Sequence, residues 1–384
     1  MTRRDLRTLC PQVFLLMAAP SPFMTRALEL ARTAKGRTSP NPPVGAVVVR
    51  DGEIVGEGFT QPPGSWHAEV LALRQAGDLA RGAKLYVTLE PCCHYGRTPP
   101  CTRSIIEAGV AEVHMAMLDP NPIVCGQGRA ELEAAGIRTS VGDGEEIAAG
   151  IVEAFTKFIT TGLPFVTAKF AMSLDGKIAT RTGQSRWITG EGARLLVHRL
   201  RDAADAVMVG VGTVLADDPL LTVRLPLRER RDGRQPWRVV VDSRGRTPLT
   251  ARVLGADAPT IVATTEASPP EWRRQLAHLG AIVLELPAKE GHVDLKQLLV
   301  ALGKRGLIDI LVEGGSGLLG SLFAQRLVDK VLAFVAPLVI GGTSTPGPIG
   351  GDGVQTLDEA PRLRTEQVER VGDDILIVAR CLPE

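Results

Sequence analysis

His67-Ala68-Glu69, followed by Pro91-Cys92-Cys93-His94-Tyr95-Gly96-Arg97-Thr98-Pro99-Pro100-Cys101, decides the reading of this 384-residue sequence. One imidazole and two thiolates, His67, Cys92 and Cys101, supply three ligands for a tetrahedral zinc. The fourth position stays open to water, as in a catalytic rather than a closed structural site. Zinc lowers the pKa of such a water towards about 7. Glu69 stands two residues beyond His67 at the start of a helix, close enough to move a proton without ligating the metal. A structural zinc site would want a fourth protein ligand from Cys93 or His94. Adjacent Cys92 and Cys93 cannot easily both face one ion, so Cys93 reads as filling beside the ligand and His94 as a substrate contact.

Around this core the pattern is α/β. Residues 24–36 are predicted as a helix, 44–50 and 53–58 as a hairpin turning at Asp51-Gly52, and 67–75 as a helix. A strand over 84–89, a helix over 102–108, a strand over 111–117, a helix over 128–135 and a strand over 137–141 follow. Alternating strands and helices imply a layered sandwich with a largely parallel sheet. Asn41, in Pro40-Asn41-Pro42-Pro43-Val44-Gly45, has an amide that donates and accepts at once, which suits a pyrimidine edge. It is equally readable as a turn residue between prolines. Residues 146–163 read as a helical connector.

A second α/β domain begins at Pro164. Strands are predicted at 165–171, 206–211, 238–242, 260–263, 281–284, 308–312 and 330–335, with helices at 191–202, 271–278, 294–303 and 317–326. Val209-Gly210-Val211-Gly212-Thr213-Val214 places glycines after a strand, a weak phosphate signal. Glu313-Gly314-Gly315-Ser316-Gly317 opens a helix and suits a dinucleotide pyrophosphate, although the pattern is not that of the usual dinucleotide fold. Arg228–Gln235 and Thr343–Gly353 read as solvated loops without chemistry.

Composition narrows the function. Lys plus Arg number 44 against 43 acidic residues, for a net charge of +1, and 4% of residues are aromatic. That excludes general attraction to nucleic acid or anionic membranes, so a nucleic-acid deaminase is disfavoured. A non-catalytic sensor on these folds would lack Glu69 or a ligand, and both are present. Three of the six cysteines cluster, which points to metal in a reducing, cytoplasmic setting. Arg3, Arg4 and Arg7 before the apolar run 13–19 loosely mimic a signal peptide. Residues 1–23 are preferred as an extension before a working start at Met24.

H-x-E followed by P-C and a second cysteine is the pattern of zinc nucleobase deaminases, with eight residues between the cysteines instead of the usual two. With Asn41-Pro42-Pro43-Val44-Gly45, the motifs resemble the bifunctional riboflavin-biosynthesis deaminase/reductase family. The family usually carries Ser at the position of Cys93, which leaves the ligands intact. Met172-Ser173-Leu174-Asp175-Gly176-Lys177, Ser185-Arg186-Trp187-Ile188-Thr189, Gly212-Thr213-Val214-Leu215-Ala216-Asp217-Asp218-Pro219 and Val312-Glu313-Gly314-Gly315 are similar to its reductase half. The resemblance implies a cytidine-deaminase-like α/β/α sandwich over 24–145, the connector over 146–163 and a dihydrofolate-reductase-like α/β domain over 164–384. It implies Zn2+, one per chain, and NADPH. The cofactor would be lined by Met172, Trp187, Thr213, Asp217, Ser243 and the loop Gly315, Ser316, Gly317, Leu318, Leu319, Gly320 and Ser321. The phosphorylated pyrimidine substrate would meet Asn41 and His94 in the first domain and Ser185, Arg201, Leu221, Arg224 and Glu313 in the second. Arg201 and Arg224 would take its phosphate bidentately, and Lys169 and Asp175 would serve proton transfer. Ser243 with Arg244 would receive the cofactor's 2′-phosphate, with Asp242 a contrary sign because an acid there favours NAD. The sequence leaves a homo-oligomer open.

Overall fold

The computed structural model describes residues 19–96, 99–226, 229 and 232–383. Most of the extension (residues 1–18), Arg97 and Thr98 of the cysteine loop, and part of the stretch from Arg228 lie outside the described residues.

Helix α1 (Pro22–Ala34) starts two residues before Met24, because Ser21 caps it by accepting from the Met24 N–H at 3.2 Å. Ser21 also donates to Asp143. Strands β1 (Gly45–Arg50) and β2 (Glu53–Phe59) form the predicted hairpin, with Asp51 and Gly52 at φ 52° and 85°. Then come α2 (Ala68–Ala76), β3 (Lys84–Val87), α3 (Cys101–Ala108), β4 (Glu112–Met115), α4 (Gln127–Ala134), β5 (Arg138–Val141), α5 (Glu145–Ile151) and α6 (Glu153–Thr161). The sheet order is β2-β1-β3-β4-β5. It is mixed, with β1 antiparallel to both neighbours and β3, β4 and β5 parallel. One face buries Ala72, Ile105 and Leu132 of α2, α3 and α4. The other buries Leu28, Ala148 and Phe155 of α1, α5 and α6, so the helices expected as a connector are part of this core. Helix α2 lies very close to β2: a Cβ on Gly58 would stand 2.2 Å from the Ala68 carbonyl, which requires glycine.

The second half contains β6 (Phe165–Ser173), α7 (Glu191–Ala203), β7 (Ala206–Gly210), α8 (Val211–Asp217), β8 (Trp237–Val241), β9 (Thr260–Thr264), α9 (Pro270–His278) and β10 (Ile282–Glu285). The hairpin β11 (Ala288–Lys289) and β12 (His292–Val293), α10 (Leu295–Gly303), β13 (Asp309–Glu313), α11 (Ser316–Ala324), β14 (Lys330–Ala336), β15 (Leu363–Val371) and β16 (Asp374–Cys381) complete it. Nine strands run in the order β10-β9-β8-β7-β13-β6-β14-β16-β15. The run from β10 to β14 is parallel, and β16 and β15 close it antiparallel. The C-terminal hairpin, helix α8 and the β11–β12 hairpin were not expected from the sequence.

Both supposedly bland loops are anchored. Gly350 N–H bonds the Ser316 carbonyl at 2.9 Å, which lays 343–353 against α11. Gln235 pairs with the Val223 backbone, and Asp232 binds Arg37.

The halves meet through a charged junction. Glu153 of α6 accepts from Lys330 of β14 at 2.6 Å and from Arg380 of β16 at 2.6 Å, with Lys35 at 3.9 Å. Ile308, preceding β13, packs into the core of the first half.

Candidate active sites

In the first half, two helix starts converge. His67 is the residue before α2, and Cys101 is the first residue of α3. Cys92 follows β3 by a short loop. Ligand atoms of the three residues lie within 4.8 Å of one another. His67 Nδ1 is 3.6 Å from Cys92 Sγ and 3.3 Å from Cys101 Sγ. Two ligands of a tetrahedral zinc at about 2.0–2.3 Å stand about 3.3–3.8 Å apart, so the donor set fits zinc in size and in chemistry. The Cys101 N–H points at Cys92 Sγ at 3.4 Å, and the positive ends of α2 and α3 favour thiolates. Glu69, in the first turn of α2, is 4% exposed. Burial pushes its carboxyl up to about 7, against the pull of His67.

Glu90, overlooked in the sequence, fixes the ligand loop from behind. Its carboxylate accepts from the backbone N–H groups of Asp119, Gly126 and Arg129 at 3.1, 2.9 and 3.0 Å. Asn41 sits in a turn closed by its own N–H on the Thr38 carbonyl, and His94 is exposed on the cysteine loop.

In the second half the carboxyl ends of the parallel strands open into a cleft of about 2190 Å³. One drug-sized ligand needs about 300–1,000 Å³, so two can share it. Ser185, Trp187, Arg201, Thr213, Asp217, Leu221, Arg224, Ser243, Glu313 and all of Gly315–Ser321 line it, with Lys169. Pro346, Pro348, Gly351 and Asp352 wall it too, so the loop 343–353 is part of the site.

Three expectations are corrected. Met172 is not among the residues of β6 that line the cleft, which are Lys169, Phe170 and Ala171. Asp175 is outside it as well. Its carboxylate accepts from Ser173 Oγ and from the Ile340 and Gly341 N–H groups at 2.6, 3.0 and 2.7 Å, which hold it ionised with a pKa lowered to about 2. It ties a loop and is not placed for proton transfer. Arg201 is already engaged: its Nε and Nη2 bind the two oxygens of Glu313 at 2.5 and 2.8 Å, and Nη1 binds the Thr222 carbonyl at 3.0 Å. It does not present a free fork for a phosphate.

Arg224 is less engaged: its Nη1 donates to the Thr222 hydroxyl at 3.1 Å, and it pairs with no carboxylate among the described residues. Burial and the neighbouring Arg201, Arg252 and Arg186 press its pKa down. Its main-chain N–H donates to His198 Nδ1 at 3.2 Å, so the imidazole is an acceptor there. Burial with Arg201 and Arg224 lowers the His198 pKa to about 4. Sequence reading missed His198, although Arg194, His198 and Arg201 repeat at helical spacing along α7 and all three line the cleft. At the other end Ser243, Arg244, Arg246, Lys289 and His292 gather. Ser243 Oγ accepts from the Val293 N–H at 3.0 Å, tying the β11–β12 hairpin to the strand end. Asp242 is fully buried and turned inwards, accepting from the Thr247 N–H and hydroxyl at 2.7 and 2.8 Å. It therefore offers no acid to a ribose.

Comparisons with known proteins match this two-part arrangement. Residues 17–117 match the cytidine and deoxycytidylate deaminase zinc-binding region, and residues 164–377 match the RibD C-terminal domain. The riboflavin biosynthesis protein RibD of Aquifex aeolicus is 45% identical over 92% of this chain and 96% of its own length. The chain belongs to the RibD family. Its RibD relative from Escherichia coli is 41% identical over 92% of this chain and 97% of its own. The solved RibD structure from Acinetobacter baumannii superposes with a TM-score of 0.83 at 40% identity, covering 94% of this chain and 98% of that one. A deaminase/reductase from Thermotoga maritima gives 0.81 at 38%, with the same coverage. Like the RibD family, the chain is a zinc-dependent deaminase and an NADPH-dependent reductase of riboflavin biosynthesis in one polypeptide.

Proposed function

We propose that the first half deaminates 2,5-diamino-6-ribosylamino-pyrimidin-4-one 5′-phosphate and that the second reduces the ribosylamino group of the product to ribitylamino. The observation that carries this is the presence, on one chain, of the His67, Cys92 and Cys101 triad beside buried Glu69 and of a cleft roomy enough for cofactor and substrate. The Thermotoga maritima relative is a diaminohydroxyphosphoribosylaminopyrimidine deaminase/5-amino-6-(5-phosphoribosylamino)uracil reductase.

His67, Cys92 and Cys101 hold the zinc, which supplies Lewis acidity that makes water nucleophilic at neutral pH. Glu69 takes the water's proton and passes it to the departing amine. Asn41 and His94 orient the pyrimidine. In the reductase half NADPH, held along Trp187, Thr213 and Gly315–Ser321, would supply the hydride that C1′ of the substrate receives. Trp187, Thr213, Asp217, Ser243 and Gly315–Ser321 seat the cofactor. Ser185, Leu221, Arg224 and the Arg201–Glu313 pair seat the substrate, with Arg224 on its phosphate. Lys169 faces Glu313 and Arg201, and burial lowers its pKa, which suits it to give up a proton. A thiolate zinc site is easiest to keep in a reducing compartment, and no helix among the described residues is long and apolar enough to cross a membrane. The first favours a cytoplasmic enzyme.

The direct test is incubation with the diaminopyrimidine ribosyl phosphate, read by mass. Without NADPH an amino group should be replaced by oxygen, and with NADPH a hydride and a proton should be added as well. Persistence of the amino group would refute the proposal.

Two further results are expected. Arg224→Ala should raise KM for the phosphorylated deaminated pyrimidine about tenfold or more, the worth of a charge-assisted hydrogen bond. It should leave the dephosphorylated analogue unaffected, and an equal change for both substrates would remove Arg224 from the phosphate. Lys289→Ala and Arg244→Ala should each raise KM for NADPH about tenfold and leave KM for NADH alone. Parallel losses with both cofactors would show that this end of the cleft does not read the 2′-phosphate.

A further inference from the structure

We infer that the reductase domain holds the deaminase's substrate loop in place through Asp202, a positioning residue for a reaction that takes place in the other domain. The inference rests on reading Asn41 as a contact to the pyrimidine.

Asn41 ends the short segment 36–41 between α1 and β1, and this segment takes its anchors from the other domain. Gly36 has φ 79°, and a Cβ there would stand 2.6 Å from the Asp202 carbonyl oxygen and 2.8 Å from that of Ala203, so backbone rests on backbone at the end of α7. Arg37 donates from Nη1 to the Asp202 carbonyl at 3.0 Å and from Nη2 to its carboxylate at 2.8 Å. Its Nε and Nη2 also reach the two oxygens of Asp232, each at 3.1 Å. Nη1 bonds the Lys35 carbonyl as well, closing the segment on itself. The side chains of Arg37 and Asp202 are each 10% exposed, where water and salt screen little. Ser39 lies beside the Asp205 carboxylate, which accepts from the Ile308 and Asp309 N–H groups. Pro40 lies over Gly306, with its Cδ 3.4 Å from where a Cβ would stand. Thr38, 1% exposed, then receives the Asn41 N–H at 2.8 Å.

Asp202, Asp205, Asp232 and Gly306 all belong to the second half of the chain. Fixing a loop before substrate arrives removes an ordering cost from binding. The clamp touches neither the zinc ligands nor Glu69. Its loss therefore acts on KM and leaves the chemical step.

The test compares Arg37→Met, Asp202→Ala and Asn41→Ala in the full chain, with the diaminopyrimidine ribosyl phosphate as substrate. Each should raise the deaminase KM about tenfold with kcat within about threefold, at unchanged zinc content. Arg37→Met with Asp202→Ala should be no worse than either alone, since partners in one bridge are not additive. Asp202→Asn, whose side-chain amide oxygen can still accept from Arg37, should give a smaller rise. Arg37→Met should reduce the already deaminated pyrimidine at the wild-type rate, showing that the second domain is intact. A normal KM in both clamp variants while Asn41→Ala raises it would overturn the clamp alone. A normal KM in Asn41→Ala would overturn the reading of Asn41 and the clamp's purpose with it. A joint fall of kcat and zinc content would mark general damage and overturn the positioning role.

Discussion

Cys101→Ala is expected to empty the metal site and bring deamination down to background, while NADPH-dependent reduction of the already deaminated pyrimidine continues. Among the described residues three ligands converge there, so a single deletion leaves His67 and Cys92, too few to hold zinc against the pull of water. The change is small in volume and sits at the start of an eight-residue helix, so the half should survive it as a fold. Metal analysis alongside separate assays of the two steps checks this. Full zinc occupancy with full activity in this variant would rule Cys101 out as a ligand.

Glu69→Gln should keep the zinc and lose the reaction. The amide has the size of the carboxyl and leaves all three ligands in place, but it cannot shuttle a proton. Positioned acid–base groups contribute about 10²–10⁴-fold, so kcat for deamination should fall by at least that much. The cleft of the second half contains no residue of α2, and reduction of the deaminated substrate should proceed unchanged. If reduction disappeared as well in a folded protein, the two halves would not be separate sites.

The deaminase site was legible because its chemistry is local. His67 and Glu69 share one turn, Cys92 and Cys101 share one loop, and these residue types are rare enough to stand out. The reductase site is spread over strand ends from Lys169 to Asp352, and no window of sequence contains it. Resemblance supplied most of its lining, but it could not show that Arg201 is consumed by Glu313, that Asp175 ties down a loop, or that Asp242 faces inwards. Each is a matter of side-chain direction. The stripe Arg194, His198 and Arg201 was available to helical periodicity and went unread. The C-terminal hairpin was hidden for a different reason. β15 is exposed along almost its whole length, so Leu363–Val371 carries no alternation of apolar residues to recognise. Only its turn at Gly372-Asp373 signals it.

The junction around Glu153 bears on how this polypeptide could be recombined. One carboxylate on α6 receives cations from β14 and β16, strands contributed by the other half. Cutting the gene between the halves, or grafting a reductase from a relative, would strand that carboxylate in a half-closed crevice and uncover Ile308. A working hybrid would have to travel with Lys330, Arg380 and Ile308, or carry replacements for all three. The natural unit of exchange is thus larger than either activity.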